Sequence, residues 1–464
     1  MYTFMRWFVG LALGFYFRRI ERFHQDRVPK SGPVLFVSNH PNSLTDSFVI
    51  GAAVPRKVNF VATVQLFRIA PLKWLFSRCG VIPINRVKDD PKAMRTVADT
   101  FAACYKVLEA GEAVGIFPEG ITYEDSQLKE VKSGAARMAL ELEHRHGGKL
   151  GLQVVPVGLT YSAKEIYRSD VLANFGEPIR AADFLEGYAE RRRECIQRLT
   201  SEIETRIQSL ISHLPKLEHE RLIAGVKRLY LEALRAGNKT IGAAVLSGAE
   251  ELQVTQKIIE TVEAVYGEQP ERAAIFAAKL DLYEQRLRRF SLREDPIEQP
   301  GAESKAWARS LKYGLIALLG APFALYGWVH RIVPFALVRW GKAHLTEPGR
   351  PKAQASTAAI AGGIVAFGIC YSVYIFAFHA LIGWPASLWY ALSLPVASLV
   401  AYYYLREIHR LGGSLWNLIL LFRAPASMRR LVALRTELVK EIEAVAKENR
   451  EKRATSVLNA STGS

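Results

Sequence analysis

Residues Val34–Ala53 read VLFVSNHPNSLTDSFVIGAA. The short apolar run Val34–Ser38 predicts a buried strand. Pro41 stiffens the turn that follows, and Asn42 or Ser43 can cap a helix running near Ser43–Ala53. The same alternation extends outward. Strands are expected at Asn59–Ala62, Val81–Ile84, Ala113–Phe117 and Gln153–Thr160, with helices near Leu66–Arg78, Pro91–Ala110 and Val131–His146. Strands alternating with helical patterns predict an α/β domain over residues 30–180, with helices covering the sheet.

The chain has 464 residues, a length that suggests about three domains. Residues 181–292 change character: Glu, Arg, Leu and Ala dominate, with Ile196, Leu199, Ile203, Ile207 and Leu210 at helical spacing. This predicts a helical region with a solvated charged face. Residues 293–304 (REDPIEQPGAES) read as a linker. A membrane region is expected over 305–423. No Asp, Glu, Lys or Arg occurs from residue 353 to residue 405, room for two helices of about 20 residues and a short turn. The expected hairpin covers 357–405, with Gly383, Trp384 and Pro385 at the turn. Lys342, Arg350 and Lys352 before it and Arg406 and Arg410 after it place both ends on the cytoplasmic side. Residues 313–329 contain Pro322 and run into His330 and Arg331, so a kinked, re-entrant or interfacial segment fits better than a clean span. Residues 1–29 read as an N-terminal interfacial helix, because the apolar stretch Trp7–Phe17 is too short to cross. Residues 424–464 read as a charged amphipathic helix over Met428–Lys452 and a disordered tail.

Half of the residues are hydrophobic, which excludes disorder as the main state. Lys and Arg number 61 against 45 Asp and Glu, a net charge of +16. That excess favours an anionic lipid surface, phosphorylated substrates or nucleic acid. Cys79, Cys104, Cys195 and Cys370 are scattered, without a CxxC pair, so neither a disulfide scaffold nor a zinc ribbon is indicated.

Four segments of the α/β region carry chemistry. In Ser38–Asp46, His40 falls at a strand end, where α/β folds place sites. Asp46 lies one turn into the next helix. The carboxylate can accept from one ring nitrogen and leave the other as a base; a structural histidine against a helix aspartate has the same pattern. In Gly80–Arg86 (GVIPINR), Arg86 follows a strand and can hold a phosphate bidentately or form a surface salt bridge. In Ile116–Leu140, Pro118, Glu119 and Gly120 make a turn, where Gly120 lets the backbone approach a ligand. Glu119 can accept from a substrate hydroxyl or pair with Arg86, and Lys132 and Arg137 follow near a helix start that favours anions. A turn followed by ordinary surface charges fits equally. Val154–Tyr161 (VVPVGLTY) reads as a strand with an edge or bulge at Pro156.

Together and in this order, the NH…D, G-x-I-x-x-x-R, F-P-E-G and V-P-V blocks resemble the glycerolipid acyltransferase superfamily, the glycerol-3-phosphate and 1-acylglycerol-3-phosphate O-acyltransferases. The blocks span Asn39 to Val157. Leu128–Leu140 and Asn174–Ile179 look more like the members that acylate glycerol 3-phosphate or dihydroxyacetone phosphate. The resemblance implies an acyltransferase domain over 30–180, with the helical region and C-terminal transmembrane helices following it. It makes His40 and Asp46 catalytic, assigns Arg86, Glu119, Gly120, Lys132 and Arg137 to the acceptor phosphate, and puts Val155 and Pro156 on the acyl-donor side. The implied partners are a phospholipid membrane, a glycerol phosphate acceptor and an acyl thioester (acyl-CoA or acyl-carrier protein). No metal or cofactor and no nucleic acid are implied, and the catalytic domain would face the cytoplasm. Two departures stand out. Five residues separate His40 from Asp46 where four are usual, and Thr63 in Phe60–Phe67 (FVATVQLF) stands where a basic residue is frequent. The extra residue can be absorbed in the turn before the helix. A lysophospholipid acyltransferase, or a membrane-anchored non-catalytic lipid- or RNA-binding protein, are the rival readings.

Overall fold

Val34 and Phe36 point to one side of their strand and Leu35 and Val37 to the other, and all four are at most 1% exposed. A strand apolar on both faces must lie inside a sheet covered on both sides. The computed structural model describes residues 1–68, 70–84, 94–120, 127–164, 166–237, 246–290, 303–345 and 355–462. They form two compact units: Met1–Leu217 with Leu246–Gln256 and Thr346–Ala361, and Glu218–Val245 with Lys257–Leu345 and Gly362–Ser464.

The first unit is built on an eight-stranded sheet. Its strands are β1 (Arg19–Phe23), β2 (Val34–Ser38), β3 (Val58–Thr63), β4 (Ile82–Ile84), β5 (Ala113–Ile116), β6 (Gln153–Tyr161), β7 (Asp170–Phe175) and β8 (Ile179–Arg180). The order is β1-β7-β6-β2-β5-β3-β4, with β8 also on β6. The five strands from β6 to β4 are mutually parallel; β7 and β8 run antiparallel to β6, and β1 follows β7. On one face, Val34 and Phe36 pack with Leu13 and Tyr16 of α1 (Tyr2–Tyr16) and Val49 and Ile50 of α2 (Leu44–Ala53). After α2 come α3 (Ala70–Cys79), α4 (Met94–Glu109), α5 (Gly134–Arg145) and α6 (Arg192–Leu210). On the other face, Leu35 and Val37 pack with Cys104 and Leu108 of α4, Leu140 of α5 and Leu199 and Ile203 of α6. Each such side chain taken from water contributes about 1.5–3 kcal/mol, which is why β2 sits at the centre.

The first unit bears on three expectations. The sheet starts at Arg19, inside the residues read as an interfacial segment. The charged RIERF hides a strand whose Arg19, with Arg18 just before it, pairs with Asp170 at the start of β7. Pro156 is not at an edge, because β6 pairs on both sides, but it does face a bulge: residues 155–156 of β6 stand opposite the three residues 176–178 between β7 and β8. Its carbonyl accepts from Gly176 N–H at 2.9 Å, on the side where β7 ends and β8 has not begun. The missing proline N–H falls in that gap, so no ladder bond is lost. Ser43 is the N-cap residue of α2, one of the two expected, but without a side-chain bond into the first turn.

The second unit is helical. Its elements are α7 (Glu220–Gly237), most of α8 (Gly248–Glu268), α9 (Pro270–Arg289), α10 (Glu303–Leu345), most of α11 (Ala355–Ile382), α12 (Ala386–Arg423) and α13 (Pro425–Thr462). Residues 293–302 of the expected linker lie outside the described residues, and Glu303 and Ser304 begin α10. Helix α10 runs unbroken through Pro322 and Pro334, so the re-entrant form, one of the three expected of residues 313–329, is not adopted. A proline removes one intrahelical bond and bends a helix, and a neighbouring helix can hold the bent turn together. Here α12 lies against α10, antiparallel to it. Tyr404 Oη donates to Ala317 O at 2.9 Å, Tyr326 Oη and Ser393 Oγ are 2.7 Å apart, and Gly327 admits the Ala397 carbonyl to where a Cβ would stand. Among the described residues, three helical segments, Leu311–Gly341, Ala359–Ile382 and Ala386–His409, are long and apolar enough to cross a membrane. Helix α13 continues to Thr462, past Lys452 where the tail was expected to disorder. It is held to α9 by Arg272–Glu448 at 2.9 Å and Lys279–Glu437 at 2.7 Å.

Candidate active site

Strands β2, β5 and β6 are parallel neighbours, so their carboxyl ends open at one end of the sheet. His40 leaves the end of β2, Glu119 lies just past β5, and Tyr161 ends β6. Asn39 ties two of these ends together. Its Nδ2 donates to Leu159 O at 3.0 Å and its Oδ1 accepts from Leu159 N–H at 2.7 Å, extending the β2–β6 ladder by a side chain.

His40 Nδ1 lies 2.9 Å from Asp46 Oδ2. The five-residue spacing is absorbed by a turn in which Ser43 has φ 52°, a left-handed conformation unusual for a residue with a Cβ. Asp46 is completely buried. A buried carboxylate is costly unless its oxygens are satisfied, and three donors converge here: the His40 ring, Asn42 N–H on Oδ2 at 2.7 Å, and Tyr161 Oη on Oδ1 at 2.7 Å. As an ionised carboxylate only accepts, the His40 proton belongs on Nδ1 and Nε2 is the basic nitrogen. Burial first, and the neighbouring Asp46 second, push the Tyr161 phenol well above its ordinary range, so it remains a donor.

The imidazole keeps 14% of its side-chain surface exposed and stacks on Phe117, centroids 3.9 Å apart. Glu119, only 3% exposed, accepts the His40 main-chain N–H at 3.2 Å. Gly120 has φ 70°, and a Cβ there would stand 2.8 Å from Lys132 Nζ. The Lys132 N–H donates to Pro118 O at 3.2 Å, which holds the ammonium beside the turn.

The structure therefore gathers His40, Asp46, Glu119, Gly120 and Lys132. It directs Arg137, on α5, over the ring of Phe101 of α4 at 5.1 Å instead. Arg86 lies outside the described residues. Val155 and Pro156 are buried in β6, Val155 in the core cluster with Phe36 and Val49, so neither lines a groove as expected. An apolar V-P-V segment in a central strand is packed from both faces by construction. Phe117, Asn39 and Tyr161 make contacts at the site that the sequence did not reveal. The available signal was their position: each is polar or aromatic and ends an apolar strand.

Residues 19–160 match the family model described as Acyltransferase. An uncharacterized acyltransferase of Schizosaccharomyces pombe is 23% identical over 49% of this chain and 46% of its own length. Glycerol-3-phosphate O-acyltransferase 2 of Saccharomyces cerevisiae is 31% identical over 28% of this chain and 18% of its own length. The 1-acyl-sn-glycerol-3-phosphate acyltransferase of Bacillus subtilis is 24% identical over 43% of this chain and 91% of its own. The chain thus spans less than half the length of the first two relatives. The four motif blocks lie inside the matched segment, and the sheet carries His40 at its carboxyl end with Asp46 beside it, so residues 19–160 are similar to the acyltransferase domain of the glycerol-3-phosphate and 1-acylglycerol-3-phosphate acyltransferases.

Proposed function

We propose that this chain is a membrane-bound O-acyltransferase that moves a fatty acyl group from an acyl thioester to a hydroxyl of glycerol 3-phosphate or dihydroxyacetone phosphate, in phospholipid biosynthesis. The observation that carries the reading is the His40–Asp46 pair, 2.9 Å apart, with Asp46 fixed by two further donors. His40 Nε2 removes the proton of the acceptor hydroxyl as that oxygen attacks the thioester carbonyl. The tetrahedral intermediate collapses, the C–S bond breaks, and the thiolate leaves with the proton returned from His40. A thiol ionises near pH 8.5, so this leaving group needs little acid assistance. Asp46 orients the imidazole and stabilises the imidazolium, as the aspartate of a Ser-His-Asp triad does, with the substrate hydroxyl in place of serine. No acyl-enzyme is required.

Lys132 beside Gly120 supplies positive charge for the acceptor phosphate, with Arg86 as a further candidate. Glu119 acts through the His40 main chain, since a carboxylate repels a phosphate. Three helices long and apolar enough to cross a membrane suit an apolar acyl chain and a lipid product. The cytoplasmic face suits soluble thioester and acceptor. Acylation of a lysophospholipid is the second reading, favoured by the relative in Bacillus subtilis, whose name specifies 1-acyl-sn-glycerol-3-phosphate.

Purified protein in detergent, given acyl-CoA and either glycerol 3-phosphate, dihydroxyacetone phosphate or lysophosphatidic acid, separates the two. Transfer should be faster to an acceptor that carries no acyl chain. His40→Ala should lower kcat at least about 10²-fold through loss of the base. Turnover near wild type in that variant would remove the mechanism. Arg86→Ala should raise the acceptor KM roughly 10-fold or more, the loss of a charge-assisted contact, and leave the donor KM nearly unchanged.

A further inference from the structure

Tyr161 ends β6 with its hydroxyl 2.7 Å from Asp46 Oδ1, the oxygen that His40 does not use. The two residues are 115 positions apart. The Tyr161 ring packs against Phe17, centroids 5.8 Å apart, and the Asn39–Leu159 pair fixes β6 to β2 two residues upstream. The hydroxyl is therefore held by the sheet, independently of the strained turn at Ser43 that carries Asp46. We propose that Tyr161 is a positioning residue: it locks the Asp46 carboxylate in the plane that His40 needs and, by sharing its negative charge, sets the basicity of His40. This rests on the acyltransfer reading above.

Among the described residues, the charged and titratable groups around the pair are Asp46 on α2, Tyr161 on β6, Glu119 after β5 through the His40 N–H, and Lys132 beside Gly120. Tyr161 is the donor to the second carboxylate oxygen. Tyr161→Phe keeps the ring and its packing and removes that donor alone. The carboxylate charge is then shared with one donor fewer, so the His40 imidazolium is stabilised more strongly. The proton-accepting neutral ring then requires a higher pH, and the low-pH limb of the activity profile moves upward.

The test compares the full-length wild type, Tyr161→Phe and His40→Ala in detergent. For Tyr161→Phe, kcat should fall about tenfold at neutral pH, the equivalent of one hydrogen bond to a charged group. Both KM values should stay within about twofold, and the low-pH limb of kcat/KM should move to higher pH. Carbethoxylation of His40 by diethyl pyrocarbonate, followed by mass spectrometry of its peptide, reads the same equilibrium without turnover. Its onset should also move to higher pH. An unchanged profile with unchanged carbethoxylation overturns the proposal, even if His40→Ala is inactive. So does a loss of activity that follows a lowered melting point while the profile stays put, which marks a merely structural tyrosine. If His40→Ala retains turnover, the acyltransfer reading fails, and the carbethoxylation shift still decides whether Tyr161 governs His40.

Discussion

Asp46 accepts three hydrogen bonds with two oxygens, and that count makes its chemistry irreplaceable by an amide. In Asp46→Asn one of the three donors must face an NH₂ group or turn away. Either the ring of His40 loses its partner or it adopts the wrong tautomer, and kcat should fall at least about 10²-fold. Full activity would show that Asp46 does not serve His40. Gly120 is constrained differently, by its φ of 70° and by the Lys132 ammonium. Gly120→Ala should cost about 1–2 kcal/mol of stability for the left-handed backbone. It should also raise the acceptor KM, because the lysine end must move. Kinetics of Gly120→Ala, Lys132→Ala and the double variant check this: the double variant should have the KM of Lys132→Ala alone, as two changes to one contact are not additive.

At the scale of elements, the site depends on how β6 is seated between β2 and the helix that covers it. Gly158 in β6 meets the carboxyl end of α6: a Cβ there would stand 2.6 Å from the Leu210 carbonyl oxygen. That oxygen also accepts from Asn174 Nδ2 at 3.3 Å. Backbone atoms cannot swing aside as a flexible side chain can, so Gly158→Ala must push α6 off the sheet or shift β6. Overpacking of this kind costs about 1–3 kcal/mol. The melting temperature should drop measurably and the activity of the folded fraction should fall with it, because Tyr161 lies three residues on. A melting curve identical to wild type would show that the end of α6 yields freely.

For the whole molecule, the helices that are apolar enough to cross a membrane set the constraint. Charged side chains are costly to carry across a bilayer, and none occurs from residue 353 to residue 405. Lys and Arg flank the stretch at both ends, so the hairpin tip should face outward. In a variant without the four native cysteines, Gly383→Cys should react with an impermeant thiol reagent from outside intact cells, and Gly412→Cys should not. Labelling of both, or of neither, would show an inverted or non-crossing hairpin. The antiparallel α10 and α12 bring the start of the first and the end of the second to the same end of the second unit.

Much of this protein is written locally. An apolar run of five residues forms β2 wherever it is placed, because both faces must leave water. The order of strand, His40, turn and Asp46 is likewise read within about a dozen residues. The long apolar stretches near the carboxyl end announce themselves by composition. What the local pattern could not contain is which distant groups meet. Tyr161 reaches Asp46, and Glu119 reaches the N–H of His40 from 79 residues away, only because β5 and β6 flank β2. The pairing of the charged β1 with β7 and the harmless place of Pro156 follow from the same strand order. Periodicity and turn chemistry act over one element, whereas strand order is settled by burying all the elements at once. The carboxylate oxygen that the local motif left over therefore found its donor only in the folded sheet.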